Sequence, residues 1–454
     1  MDLIKGKIKT IYARYLAAAF GSALISSIYG IVDMAMVGQY QGPNGTAALA
    51  VVAPIWNIIY SLGLLTGIGG SVLFSTVRGK GAQKEENENQ YFTIAFFATV
   101  FFAAVSWILI IFFDKPMLLL FGAEETLLPL AQGYLLPIKF AIPCFLLNQM
   151  LASFLRNDNS PGLATTAVLS GGIFNVVGDY VFVFTFNMGI LGAGLATAIG
   201  SVITLLVMAS HFFSKKNTLR LVKSQHCLFK TKNILVTGFS TFFIDVAMGI
   251  LTMLFNRQIM TYFGASALAV YGIIVNISTF VQCCAYSVGQ AAQPVISINF
   301  GAQQWQRIRE TLKYALFATG FFSIVWTMLT MCFPEVFVRI FMAPTDEVLA
   351  IAPYIMRCYC ISFLLLPLNI FSTYYFQAIM KPAVSFLVSV MRGLVISGIL
   401  IYLLPVLASA NAIWFAMPVT ELLVAAVVVV CMIRFTRQLL LRQGRATENG
   451  GISR

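Results

Sequence analysis

The sequence predicts an all-α integral membrane protein, with twelve transmembrane helices in two parallel six-helix repeats around a central cavity. Three observations predict it. Of 454 residues, 59% are hydrophobic and only 10% are charged, whereas an ordinary soluble domain is roughly 45–50% apolar and about 25% charged. Apolar runs that can cross a bilayer, about 20 residues each, recur along the chain. One half of the chain also repeats the other at a near-constant offset.

In order, the runs of the first half fall at 12–38, 46–75, 91–113, 127–155, 162–186 and 190–213. The first follows a positive leader, MDLIKGKIKTIYARY, and no small-residue cleavage pattern interrupts it, so a retained helix is expected rather than a cleaved signal. The runs of the second half fall at 234–262, 266–298, 311–334, 346–379, 383–405 and 410–434. Those longer than a bilayer is thick are expected to tilt or to project from it.

The repeat is read from the chain itself. Ala48-Leu49-Ala50-Val51 recurs as Ala267-Leu268-Ala269-Val270, an offset of 219, and Gly81-Ala82-Gln83 recurs as Gly301-Ala302-Gln303, an offset of 220. Phe121 and Tyr134 keep that register with Phe341 and Tyr354, and Pro161 matches Pro382 at 221. A constant offset across six spans marks an internal duplication. Six is an even number, so the halves enter the membrane in the same orientation, the parallel-repeat plan of transporters that rock one half against the other.

Orientation follows the Lys and Arg residues. With a cytoplasmic N-terminus, 23 of the 29 lie on the cytoplasmic side, and only Lys115 and Arg339 lie opposite. The other four, Lys139, Arg257, Arg357 and Arg392, lie within spans. This asymmetry places both ends inside. The expected organisation is a six-helix lobe at 1–213, a basic cytoplasmic linker at 214–233, a second six-helix lobe at 234–434 and a cytoplasmic tail at 435–454, in the cell membrane.

Several function classes are excluded. The net charge of +12 sits in short loops without interleaved aromatics, which marks topology and not nucleic-acid binding. Eight cysteines show no metal-ligand spacing, and His211 and His226 are the only histidines, so neither a metal centre nor a usual catalytic constellation is expected. The protein is not read as an enzyme. No phosphate-binding Gly-x-x-x-x-Gly-Lys-Ser/Thr loop occurs, so any work it performs draws on an ion gradient.

Buried charge in a membrane is costly and marks function. Four acids lie well inside spans: Asp33, Asp179, Asp245 and Glu421. Asn175 and Asp179 are four residues apart in FNVVGDYVF, on one helix face. A carboxylate with an amide oxygen suits Na⁺, or a proton held on the acid. Asp33 lies in IYGIVDMAMVG, and Thr197, in GLATAIG, can add a hydroxyl. Tyr29 and Met34 are candidates for a cavity wall, because aromatic and thioether surfaces accommodate varied substrates. Asp245 and Asn256 are candidates in the seventh span, with Asp245 alternatively pairing with Arg257 or Arg392. Glu421 and Arg392 are read as a structural pair, and Lys139 as reaching toward an interface.

These residues, with GQAAQP at 289–294 and WFAMPVTELL at 414–423, resemble the multidrug and toxic compound extrusion, or MATE, family over essentially the whole chain. The first-half acids resemble its DinF-type branch, which has Asp in the first helix, Asn-x-x-x-Asp in the fifth and Thr in the sixth. The resemblance implies a cation site at Asp33, Asn175, Asp179 and Thr197. It also implies antiport of H⁺ or Na⁺ against small, often cationic or amphiphilic organic compounds, without a further cofactor, by a monomer. The chain departs from the pattern in having no proline before Pro43, so a proline kink early in the first helix is not expected. The competing reading is a flippase for a lipid-linked intermediate, kept open by Arg257, Arg357 and Arg392.

Overall fold

The structure, a computed structural model, describes residues 3–83, 86–121, 123, 125–342 and 345–450. Twelve helices among them are long and apolar enough to cross a membrane. They are α1 (Ile8–Gly42), α2 (Asn44–Gly79), α3 (Asn89–Leu120), α4 (Leu128–Asn157), α5 (Pro161–Thr185), α6 (Ile190–Phe213), α7 (Cys227–Tyr262), α8 (Ser266–Gly301), α9 (Trp305–Cys332), α10 (Asp346–Ala378), α11 (Pro382–Leu407) and α12 (Ala410–Leu439). No strand occurs among the described residues, and a short helix, Pro334–Phe341, joins α9 to α10. Helical backbone continues past α12 to Gly450. Of the expected tail, 451–454 lie outside the described residues.

The repeat is built into the backbone. Helices α1 and α2 are separated by Gly42 at φ 65°, and α7 and α8 by Gly264 at φ 77°, a region glycine enters without steric penalty. Asn159 and Met380, at φ 58° and 59°, precede the prolines that open α5 and α11. Proline suits a first helical turn, where its missing N–H costs nothing.

Two compact units result: residues 17–245, and residues 1–16 together with 246–454. These divisions cut α1 and α7 instead of following the 214–233 loop. Within the 17–245 unit, the start of α7 is locked to α2, because a Cβ on Gly69 would overlap the Ile234 carbonyl and one on Gly238 the Leu65 carbonyl. Small residues permit such close helix approach in membranes. In the other unit, the leader is held by Arg307, whose Nη2 donates to Leu3 O at 3.0 Å and Gly6 O at 2.8 Å.

The 214–233 loop is fastened to the 17–245 unit. Arg220 N donates to Asn89 Oδ1 at 3.0 Å, and Val222 N to Thr93 Oγ1 at 2.9 Å. Asp158, between α4 and α5, accepts from Arg78 Nη1 at 2.9 Å and Thr218 N at 3.0 Å, and meets His211 Nε2 at 2.7 Å. Burial opposes the charge of Asp158, but the His211 and Thr218 bonds, with the Arg78 guanidinium, outweigh it and hold its carboxyl below the usual range.

Hydroxyl bridges stitch the helices together elsewhere in this unit, as between Thr66 and Thr99 at 2.7 Å. Lys139 forms an ion pair with Asp114 at 2.7 Å, a partner the sequence reading did not supply. All eight cysteines are free thiols.

Candidate functional site

The site lies in the 17–245 unit, where α6 packs along both α4 and α5. The sequence permits this close packing. A Cβ on Gly194 of α6 would overlap the Tyr134 carbonyl of α4, and one on Gly200 would stand 2.8 Å from the Gly171 carbonyl of α5. With the backbones this close, Asn175 Nδ2 on α5 donates to Thr197 Oγ1 on α6 at 3.0 Å.

Tyr134 joins the remaining parts. Its hydroxyl donates to Asp33 Oδ2 on α1 at 2.7 Å, and that same phenolic oxygen lies close to Thr197 and within the electrostatic field of both Asp33 and Asp179. The two carboxylates also feel one another directly. Asp179 is wholly buried, at 0% exposure, and Asp33 is buried too. Four oxygens, Asp33 Oδ1, Asn175 Oδ1 and both of Asp179, are buried without a hydrogen-bond partner among the described residues.

Buried polar atoms are ordinarily satisfied, so four in one cluster call for an explanation. All are acceptors. A cation is the partner that four lone-pair oxygens can share, and a hard cation takes carboxylate, amide and hydroxyl oxygen. No group of three or more His, Cys, Asp or Glu side chains is arranged for a metal ion among the described residues. Two acids with neutral oxygens fit a proton or a monovalent cation.

Thus Asp33, Asn175, Asp179 and Thr197 fall in one cluster. Asn175 and Asp179 end the α-helical part of α5, which passes into a π-helical turn at Tyr180–Thr185. Tyr134 is the member that sequence reasoning missed. Its match with Tyr354 in the repeat register was visible, but nothing in the spacing says that it reaches α1.

Tyr29 bonds Ser26 and feels Asp33, while Met34, beside Asp33 in sequence, is 48% exposed. Asp245 is half-buried at the end of this unit, whereas Asn256 is half-buried in the other. Arg392 is paired with Glu421 at 2.7 Å.

The family model MatE matches residues 18–181 and 239–403, once in each half. The chain belongs to the MatE family. Members of this family are transporters, not enzymes. Among curated relatives, the multidrug export protein MepA of Staphylococcus saprophyticus is 23% identical over 417 residues, covering 91% of each chain. MepA of Staphylococcus aureus is 22% identical over 416 residues, covering 90% of this chain and 91% of its own.

Solved structures share the fold. One described as the outward-facing conformation of a multidrug resistance MATE family transporter superposes with a TM-score of 0.88 at 19% identity, over 96% of this chain and 98% of its own. A transporter of the same superfamily from Pyrococcus furiosus, described as having a binding pocket of reverse polarity, gives 0.88 at 19% identity over the same shares. This MatE chain is therefore an all-α, multi-pass membrane transporter.

Proposed function

We propose that this MatE transporter is an antiporter. It exports small, often cationic or amphiphilic organic compounds in exchange for H⁺ or Na⁺ taken up at Asp33, Asn175, Asp179 and Thr197, with both chain ends cytoplasmic. The four unpartnered buried oxygens around Tyr134 are the strongest support for this reading, and the names of the MepA relatives support the substrate class.

The chain's own residues set the mechanism. Asp33 and Asp179 supply negative charge, and Asn175 and Thr197 supply neutral oxygen on adjoining helices. Tyr134 holds Asp33 by its hydroxyl. A cation taken up from outside neutralises the acids and weakens their hold on a cationic compound; its loss to the cytoplasm restores the charge. Coupling requires only that ion and compound differ in affinity for the two access states of the carrier.

The test is gradient-driven efflux of a fluorescent cationic dye from vesicles carrying wild type, Asp33→Asn or Asp179→Asn at matched expression. Export should be lost in both variants, and unimpaired export in both would remove the site. Replacing Na⁺ by K⁺ at fixed pH then distinguishes the two ions.

A further inference from the structure

The first turn of α3 gathers the loop between α6 and α7, and the helix ends on either side of it, into one surface. At the end of α6, the Phe212 ring meets that of Phe92 at 6.3 Å between centroids. Along the loop, Asn89 Nδ2 donates to Thr218 O at 3.1 Å, beside the bonds from Arg220 N and Val222 N to the side chains of Asn89 and Thr93. In the first turn of α7, Lys230 pairs with Glu86 at 2.5 Å, bonds Gln90 and stands over the Tyr91 ring at 5.3 Å.

Exposure on this surface runs opposite to that of a water-facing loop. Lys230 is 5% exposed, whereas its neighbours Leu228 and Phe229 are 90% and 65% exposed, and Phe213 and Leu221 are 92% and 57% exposed. Four large apolar side chains so close along the chain exceed the singly scattered apolar residues of an ordinary surface. Among them, Lys215, Lys216, Arg220, Lys223 and Lys232 are exposed and form no ion pair among the described residues. Residues 210–233 contain no acid. Glu86, Glu88 and Asp158 are already engaged by Lys230 and Arg78.

We propose that this surface docks on anionic phospholipid, with Phe213, Leu221, Leu228 and Phe229 entering the acyl boundary and the five exposed bases holding headgroup phosphates. The loop joins two membrane spans, so it lies at a membrane face, where apolar side chains beside basic ones bind the interface. Charge selects the lipid class. A zwitterionic headgroup brings no net charge to the five bases, whereas at an anionic surface each Lys or Arg is worth about fivefold in affinity. The bonds to α3 hold the loop in place beforehand, which lowers the ordering cost of binding. The inference goes beyond the coupling reading and does not depend on it, because the loop borders a membrane face whichever side that is and lipid binding is measured without a gradient.

The experiment uses purified full-length protein in phosphatidylcholine nanodiscs containing a trace of phosphatidylglycerol or phosphatidylcholine, each with the same photoactivatable diazirine near the top of one acyl chain. After ultraviolet exposure, labelled peptides are identified by mass spectrometry. Phosphatidylglycerol should label 212–232 more than about tenfold above phosphatidylcholine, the effect of two engaged bases, and the preference should collapse in 1 M salt, where charges are screened beyond about 3 Å. Lys215→Gln/Lys216→Gln/Lys223→Gln/Lys232→Gln should bring the phosphatidylglycerol label down to the phosphatidylcholine level, whereas Lys7→Gln/Lys9→Gln, exposed bases of the leader in the other unit, should leave it unchanged. Phe213→Ser/Phe229→Ser should reduce labelling by both lipids. Soluble glycerol phosphate, a headgroup without chains, should not compete. Equal labelling of wild type by the two lipids, a preference unmoved by salt, the same loss in the leader variant as in the loop variant, or full competition by glycerol phosphate would overturn the proposal, the last by revealing an anion pocket in place of a lipid surface. The wild-type comparison of the two lipids decides the matter even if a loop variant fails to fold.

Discussion

Replacing Asp179 by leucine should abolish export and, in the absence of the coupling ion, make the protein more stable. The side chain is wholly buried, and neither of its oxygens has a hydrogen-bond partner among the described residues. Each unsatisfied buried polar atom costs about 1–3 kcal/mol, so the ceiling for two is about 2–6 kcal/mol. Leucine has a similar branched shape and removes both acceptors. Thermal unfolding in nanodiscs measures the gain; at roughly 1–2 °C per kcal/mol, extrapolated to a chain of this length, the midpoint rises by a few degrees.

The ion response provides the control. At a hundred times its dissociation constant, the coupling ion stabilises wild type by about 2.7 kcal/mol, and the leucine variant should gain nothing. A variant that melts below wild type and still responds fully to Na⁺ or H⁺ would refute the reasoning, because Asp179 would then be neither strained nor a ligand.

Other outcomes follow from the same geometry. Tyr134→Phe removes the donor to Asp33 at 2.7 Å and should change the ion concentration for half-maximal efflux by about tenfold to hundredfold while leaving expression intact. Gly194→Ala drives a methyl into the Tyr134 carbonyl and should destabilise the protein by about 1–3 kcal/mol, read by thermal unfolding, with loss of efflux. The depressed carboxyl of Asp158 favours the folded state most when ionised. Its contribution is complete above the unfolded value of about 3.9 and fades as pH falls through the lower folded value. Asp158→Asn should therefore lower the melting temperature at pH 7 and flatten its decline on acidification, and an unchanged acid profile would count against the cluster.

Much of the fold was legible because a bilayer imposes a simple rule of length and polarity: each apolar run overlaps one of the twelve helices. The duplication was legible from offsets alone, and Gly42 with Gly264 now supplies its backbone counterpart. The spacing of Asn175 and Asp179 placed both on one helix face. What periodicity could not supply was the third dimension. Tyr134 acts across three helices, Lys139 finds an ion-pair partner in Asp114, and the compact units divide within α1 and α7. The Arg392–Glu421 pairing was readable.

The wide turns of α5 and α11 set the two halves apart. A π turn houses one residue more than the α-helix around it and is commonly found at functional positions. Here the two turns do not coincide under the repeat offset: Tyr180–Thr185 would map near 401–406, whereas the second lies at Met391–Val395. The two carry charges of opposite sign: Asp179 immediately precedes the first, and Arg392 lies within the second. The two halves therefore differ in where the backbone widens as well as in the charge placed there.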